Sequence, residues 1–287
     1  MYLEHWDLPA KPFETAPDAR YYYRSATHES ALAQLQYAAT NRLGAALLWG
    51  PPGSGKTLVL DMVRSSLDQN MFYTVNLSMA AETPDELLYA LLSGLGETEL
   101  SPMRGQVLVT AMHKRIDEWL EAIRSSGRYT VLFIDEAHVL RDRKSLEAVR
   151  VILNPPPGSE RSLTVILSGQ EDVAGRVSRF TPLDERIEIR APLDPLTGDE
   201  ANAYLLHRIE MAGGKRGIFT RMGAREVAKA GNYLPGPMNK VAEMCLVTAA
   251  AAGLDRIGPD VVSAVMEDMK TDRKKTTAPD GGGTDGE

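Results

Sequence analysis

From residue 45 onward, short apolar runs alternate with stretches whose apolar residues recur every three or four positions. The runs Ala45–Trp49, Phe72–Leu77, Thr130–Ile134, Leu163–Leu167 and Ile187–Ile189 predict strands. The stretches near 56–68, 84–95, 105–125 and 144–153 predict helices. This alternation points to βαβ units and a mainly parallel sheet that ends near Pro192. Ahead of it, His28 to Arg42 carries Leu32, Leu35, Ala39 and Leu43 on one helical stripe. After Pro195 the pattern is helical only, near 198–212, 220–230, 237–252 and 259–269.

The pattern divides the chain into an α/β core (28–192) and an all-helical lid (193–270) joined through Leu193-Asp-Pro-Leu196. Residues 1–27 hold Trp6, Pro9, Pro12, Phe13, Pro17 and Tyr21-Tyr-Tyr23, and form an expected ordered arm packed on the core. Residues 271–287 have no apolar residue beyond Ala278 and are expected to be a disordered tail, because they cannot repay their ordering entropy.

Composition narrows the class without naming a function. Of the 287 residues, 43% are hydrophobic and 25% charged, ordinary for a soluble globular protein. The single cysteine, Cys245, rules out an internal disulfide and any paired-cysteine metal or redox site. The longest uncharged runs, Leu43–Gly55 and Gln69–Ala81, are shorter than the roughly 20 residues of a membrane span. The first residues lack a cationic signal-peptide start, so the expected location is cytoplasmic, without membrane insertion. The net charge of −7 argues against coating nucleic acid through bulk charge. One stretch runs the other way: residues 208–240 carry Arg208, Lys215, Arg216, Arg221, Arg225, Lys229 and Lys240 against Glu210 and Glu226. It is either a solvated helix face or a dock for an acidic partner or a DNA backbone.

Gly50-Pro51-Pro52-Gly53-Ser54-Gly55-Lys56-Thr57 fits the phosphate-loop (Walker A) pattern, with a predicted strand before it and a helix opening through Leu58 after it. Glycines let the backbone wrap phosphate oxygens with its N–H groups aimed inward, and the helix N-terminus adds partial positive charge. Lys56 is expected to charge-pair with the β/γ-phosphates of ATP, and Thr57 to ligate Mg²⁺. The buried run ending in Asp135-Glu136 (Walker B) supplies a second Mg²⁺ ligand in Asp135 and a base for the attacking water in Glu136. A glutamate so placed argues for hydrolysis rather than binding alone. Ala137-His138 completes an Asp-Glu-Ala-His string, but the chain is too short for two helicase motor lobes. After the Leu163–Leu167 run, Gln170 is the first and Ser168 the second candidate to reach the γ-phosphate or lytic water. Among Arg176, Arg179 and Arg186, Arg186 is the chosen candidate for an arginine donated to a neighbouring subunit's site.

A phosphate loop, an Asp-Glu strand end, a polar residue after the next strand and a helical lid together resemble an AAA+ ATPase. Met1-Tyr-Leu-Glu, Lys11-Pro-Phe13, Pro17-Asp18, Tyr23 and His28-Glu-Ser-Ala-Leu32 look like the start of the general secretion pathway protein A (ExeA-type) group. Ile134-Asp-Glu-Ala-His138, Ser168-Gly-Gln-Glu-Asp172 and Arg186-Ile-Glu-Ile189 are similar to that group in order and spacing, and the likeness covers residues 1–269. It implies a five-stranded parallel sheet of order 5-1-4-3-2 and an ATP-dependent homo-oligomer, a ring or spiral with sites at subunit boundaries. It also implies a sensor arginine where this chain has Gly236, with Lys240 one turn on. Slow turnover is expected from that departure. Three uses of the cycle follow: remodelling or positioning a protein partner, in secretion or envelope assembly; DNA-bound regulation of the transposition kind; or a nucleotide-gated assembly switch.

Overall fold

A computed structural model of the chain describes residues 2–14, 16–78, 83–97, 106–154 and 163–277, with backbone alone at 106–108 and 272–277. They form two compact units, one of residues 17–194 and one of residues 2–16 with 195 onward.

In the first unit five strands, β1 (Ala45–Trp49), β2 (Phe72–Ser78), β3 (Tyr129–Asp135), β4 (Leu163–Gly169) and β5 (Ile187–Pro192), lie in the order β2-β3-β4-β1-β5. Every neighbouring pair is parallel. This is the expected order of 5-1-4-3-2. Successive side chains on a strand point to opposite faces, so each apolar run feeds two cores. Ala45, Leu47, Leu132, Ile134, Val165 and Leu167 pack on one face, and Ala46, Leu48, Val131, Phe133 and Ile166 on the other. The helices of this unit, with α1 (Tyr2–His5) kept for the second, are α2 (Ala26–Thr40), α3 (Lys56–Ser66), α4 (Pro84–Gly94), α5 (Gln106–Ser125), α6 (Arg143–Ile152), α7 (Glu171–Ser178) and α8 (Thr181–Asp184). Leu35 of α2 and Val59 and Val63 of α3 belong to the second face; Leu87 and Leu91 of α4 and Ile116 of α5 belong to the first. Caps fix the helix starts: Ser25 caps α2, Asp142 caps α6, and Thr83 with Glu86 closes a reciprocal capping box on α4.

The second unit holds α9 (Gly198–Met211), α10 (Arg221–Ala230), α11 (Pro235–Ala251) and α12 (Pro259–Thr277), together with α1. Here the arm departs from expectation. The expected arm of residues 1–27, packed on the α/β core, is divided: residues 2–14 and 16 pack with the C-terminal helices, while Tyr22 packs on the sheet's second face. The reason lies in paired polar groups. The Trp6 indole N–H donates to the Leu246 carbonyl at 3.0 Å, and Arg208 donates to the Pro12 and Glu14 carbonyls at 2.5 and 2.9 Å.

That same contact revises the basic stretch 208–240. Arg208 is a buried strut, Lys215 pairs with Asp7 at 2.8 Å, Arg216 pairs with Glu210, and Lys229 pairs with Glu226 at 2.8 Å. Four of the seven cations thus have partners within the unit, although Lys215, Arg216 and Lys229 stay exposed. The tail expectation is also revised, since α12 runs to Thr277. Residues 278–287, the remainder of that expected tail, lie outside the described residues. Among the described residues no helix is long and apolar enough to cross a membrane.

Candidate nucleotide site

The C-terminal ends of β1, β3 and β4 meet at one edge of the sheet, where parallel strands hand over to loops. Gly50 to Gly55 leave β1 and turn into α3. Gly53 and Gly55 sit at φ of +79° and +100°, in the left-handed region that glycine enters without strain. A side chain on Gly50 would run into the Leu193 carbonyl, so this approach of two backbones requires glycine. The Gly50 N–H donates to the Gly169 carbonyl at 3.3 Å, tying the loop's start to the end of β4.

Lys56, Thr57 and Leu58 open α3. Lys56 is buried, and its Nζ donates to the Gly50 and Pro51 carbonyls at 2.9 and 3.0 Å, across the mouth of the loop. Burial lowers its pKa from the usual lysine value, and the carboxylates of Glu136, Asp135 and Glu171 oppose that fall. Thr57 Oγ1 donates to Asp135 Oδ2 at 2.7 Å, and the Glu136 N–H donates to Asp135 Oδ1 at 2.8 Å. Hydroxyl and carboxylate from positions 78 residues apart are thus in direct contact. That pair of hard oxygens suits Mg²⁺, which takes few protein ligands and fills its octahedron with water and phosphate oxygens. Ser54 Oγ and Ser168 Oγ are buried without a hydrogen-bond partner among the described residues. Buried hydroxyls are normally paired, so two unspent ones beside a glycine-shaped cradle fit a site built for a polar ligand.

Past β3 the chain turns sharply. Glu136 has φ +55°, an uncommon conformation for a residue with a side chain, and strain of this kind gathers at functional sites. Its Oε2 lies 3.0 Å from His138 Nδ1. The Gln170 amide donates to His138 Nε2 at 3.2 Å, while His138 Nδ1, close as it is to Glu136, makes no hydrogen bond among the described residues. The fold thus brings Gln170, from the end of β4, against a residue two positions past Glu136. Arg176, one of the arginines weighed as a finger, donates to the Leu140 and His138 carbonyls, both at 2.7 Å, and is a strut for this segment. Arg186 lies elsewhere. Its carbonyl accepts from the Ala45 N–H at the start of β1, the opposite end of that strand from the loop.

A model of the family described as AAA domain matches residues 40–177, the segment that holds the loop, Asp135, Glu136 and Gln170. The chain is 29% identical over 262 residues to general secretion pathway protein A of Aeromonas hydrophila, covering 90% of this chain and 46% of that protein. It therefore spans about half the length of that relative. Among solved structures, that of the Aeropyrum pernix ORC1 protein in complex with DNA superposes with a TM-score of 0.69 at 18% identity, covering 92% of this chain and 70% of that one. The Thermotoga maritima RuvB Holliday junction branch migration motor gives 0.57 at 20% identity, covering 89% and 72%. Identities this low establish a shared fold.

One residue that supports the loop was not legible beforehand. His28 on α2 is buried; its Nε2 meets the Ser54 carbonyl at 2.9 Å and its Nδ1 meets Ser25 Oγ at 2.6 Å. A carbonyl only accepts, so Nε2 carries the proton and donates to it. The ring also lies 3.0 Å from where a side chain on Gly55 would begin. It is the brace between α2 and the loop. The contact spans 26 residues, and no local pattern announces it.

Proposed function

We propose that this protein binds and hydrolyses ATP with Mg²⁺ at the β1–α3 loop. The observation that carries this is the direct contact of Thr57 with Asp135 beside the buried Lys56, with Glu136 following at once. Gly50, Pro51, Pro52, Gly53, Ser54 and Gly55 offer backbone N–H groups to the phosphates, except at the two prolines, whose fixed φ stiffens the turn. Lys56 supplies the charge at the β- and γ-phosphates, and Leu58 packs the first turn of α3 onto the sheet. Thr57 and Asp135 would hold Mg²⁺, which when bound neutralises phosphate charge. Glu136 accepts the proton of the attacking water, and His138, itself held by Gln170, lies beside the carboxylate that does so.

On the likeness to general secretion pathway protein A, the cycle serves to assemble and to remodel or position a protein partner, in secretion or envelope assembly, on the cytoplasmic side where ATP is available. The test is phosphate release together with binding of a fluorescent ATP analogue. Lys56→Ala is expected to abolish binding. Glu136→Gln should keep binding and lose roughly 10²–10⁴ in turnover, the usual contribution of a general base. Tight binding by Lys56→Ala would sink the assignment. A Glu136→Gln protein held with ATP then serves as bait for the partner.

A further inference from the structure

Beneath the segment that follows Glu136 lies a cleft of about 270 Å³ onto which Arg141, Arg143, Arg176 and Arg179 converge, with Phe180 and Leu146 in its wall. Among the described residues no carboxylate lines it. The nearby acids are occupied: Asp142 caps α6 through the Ser145 N–H at 2.7 Å, Glu147 pairs with Arg150, and Asp172 pairs with Arg176 at 3.0 Å. Arg141, Arg143 and Arg179 form no ion pair among the described residues; Arg143 feels the Glu147 carboxylate, which is itself paired with Arg150. Arg143 stacks over the Phe180 ring at 5.3 Å from its centre, which holds its planar head at the wall.

We infer that this cleft is a binding site for a phosphate group. Four like charges around so small a space repel one another, and an arrangement of that kind is stable when an anion enters. All four are arginines, whose planar forks grip oxyanions in pairs of hydrogen bonds, where a lysine offers a single point of charge. A phosphate brings three acceptor oxygens and up to two charges, more than one carboxylate can return to four guanidiniums. The cleft is linked to the candidate nucleotide site through Arg176. Arg176 forms part of its lining and donates to the His138 and Leu140 carbonyls, so an anion that draws on Arg176 acts on the segment that follows Glu136. This coupling rests on the ATPase reading; the binding itself does not.

The test separates free phosphate from a nucleic-acid backbone. Pyrophosphate binding is measured by calorimetry on the Lys56→Ala protein, where the β1–α3 loop is disabled. Binding of a fluorescein-labelled twelve-nucleotide single strand is measured by anisotropy on the same protein, over a range of salt. At least one probe is expected to bind, and Arg141→Ala with Arg179→Ala should weaken it at least tenfold. If the strand binds, the same pair should flatten the salt dependence, because two fewer cations release two fewer counterions. Pyrophosphate binding identifies a free phosphate ligand, and binding of the strand alone identifies nucleic acid. If neither probe binds, or the paired substitution changes neither affinity, the site is refuted. Should the alanine pair fail to fold, Arg141→Lys with Arg179→Lys keeps the charge and removes the forks. An affinity at the parent level in that protein likewise refutes the site. Absence of ATP turnover in the wild-type protein would refute the ATPase reading and leave these outcomes intact.

Discussion

The imidazole of His28 separates bracing from chemistry in the loop. It donates to Ser54 O, inside the turn whose N–H groups are proposed to face phosphate, and it takes part in neither charge nor proton transfer. Removing it leaves a buried carbonyl unpaired, a cost of roughly 1–3 kcal/mol. His28→Ala is therefore expected to lower the thermal midpoint and to raise KM for ATP several-fold with kcat changed little, because the turn is loosened while Lys56 and Glu136 stay in place. His28→Gln, whose amide N–H can still donate to Ser54 O, should recover part of the KM. A purely structural role would lower stability in both variants and leave KM untouched. Loss of kcat with KM unchanged would instead move His28 into the chemistry. The residues proposed to touch phosphate were legible from spacing alone, since glycine, lysine and threonine sit in one contiguous string. His28 and the contact of Gln170 with His138 were not, because they depend on which elements the sheet brings together.

Helices and strands were legible for a related reason. The apolar runs of β1, β3 and β4 need only local sequence: β1 keeps the expected bounds, β3 gains one residue at each end and β4 gains two at its C-terminal end. The arm shows where this stops. Trp6 and Phe13 announce that something must cover them, yet nothing in residues 1–16 says whether a sheet or a helix does so. The answer lies some 240 residues away, in the Leu246 carbonyl and in Phe219, whose ring sits 6.1 Å from that of Phe13. The helical unit should then depend on the chain's first residues. Trp6 is 7% exposed, and truncating a buried aromatic to alanine costs about 3–5 kcal/mol. Cys245 offers the readout, being wholly buried on α11 with its thiol pushed up to about 12 by burial. A thiol reagent at pH 8 can reach it only when the unit opens. Trp6→Ala is expected to speed modification of Cys245 by about two orders of magnitude, which is what 3 kcal/mol of opening free energy amounts to. Modification at the wild-type rate would mean that the arm rests on the unit without stabilising it.

At the scale of the whole molecule, the place of Arg186 decides how many chains make a working site. β1 has five residues, and at about 3.3 Å per residue its two ends lie roughly 16 Å apart. The loop leaves one end, and Arg186 is bonded at the other. An arginine side chain does not cover that span through a packed sheet. If Arg186 stabilises phosphoryl transfer, it does so at the loop of a second copy, and each copy supplies half a site. Arg186→Ala then carries an intact loop and Glu136, while Glu136→Gln carries an intact Arg186. Each variant alone should lose activity, the first by roughly 10³ or more if the arginine contributes as fingers do elsewhere. Mixed in equal amounts, they should recover about a quarter of wild-type turnover, because one in four random interfaces joins an intact loop to an intact Arg186. The recovered rate should also rise with total protein concentration. Hetero-oligomers that form without regaining activity would remove Arg186 from the site. Full turnover by Arg186→Ala at a dilution where only monomers exist would show that one chain suffices.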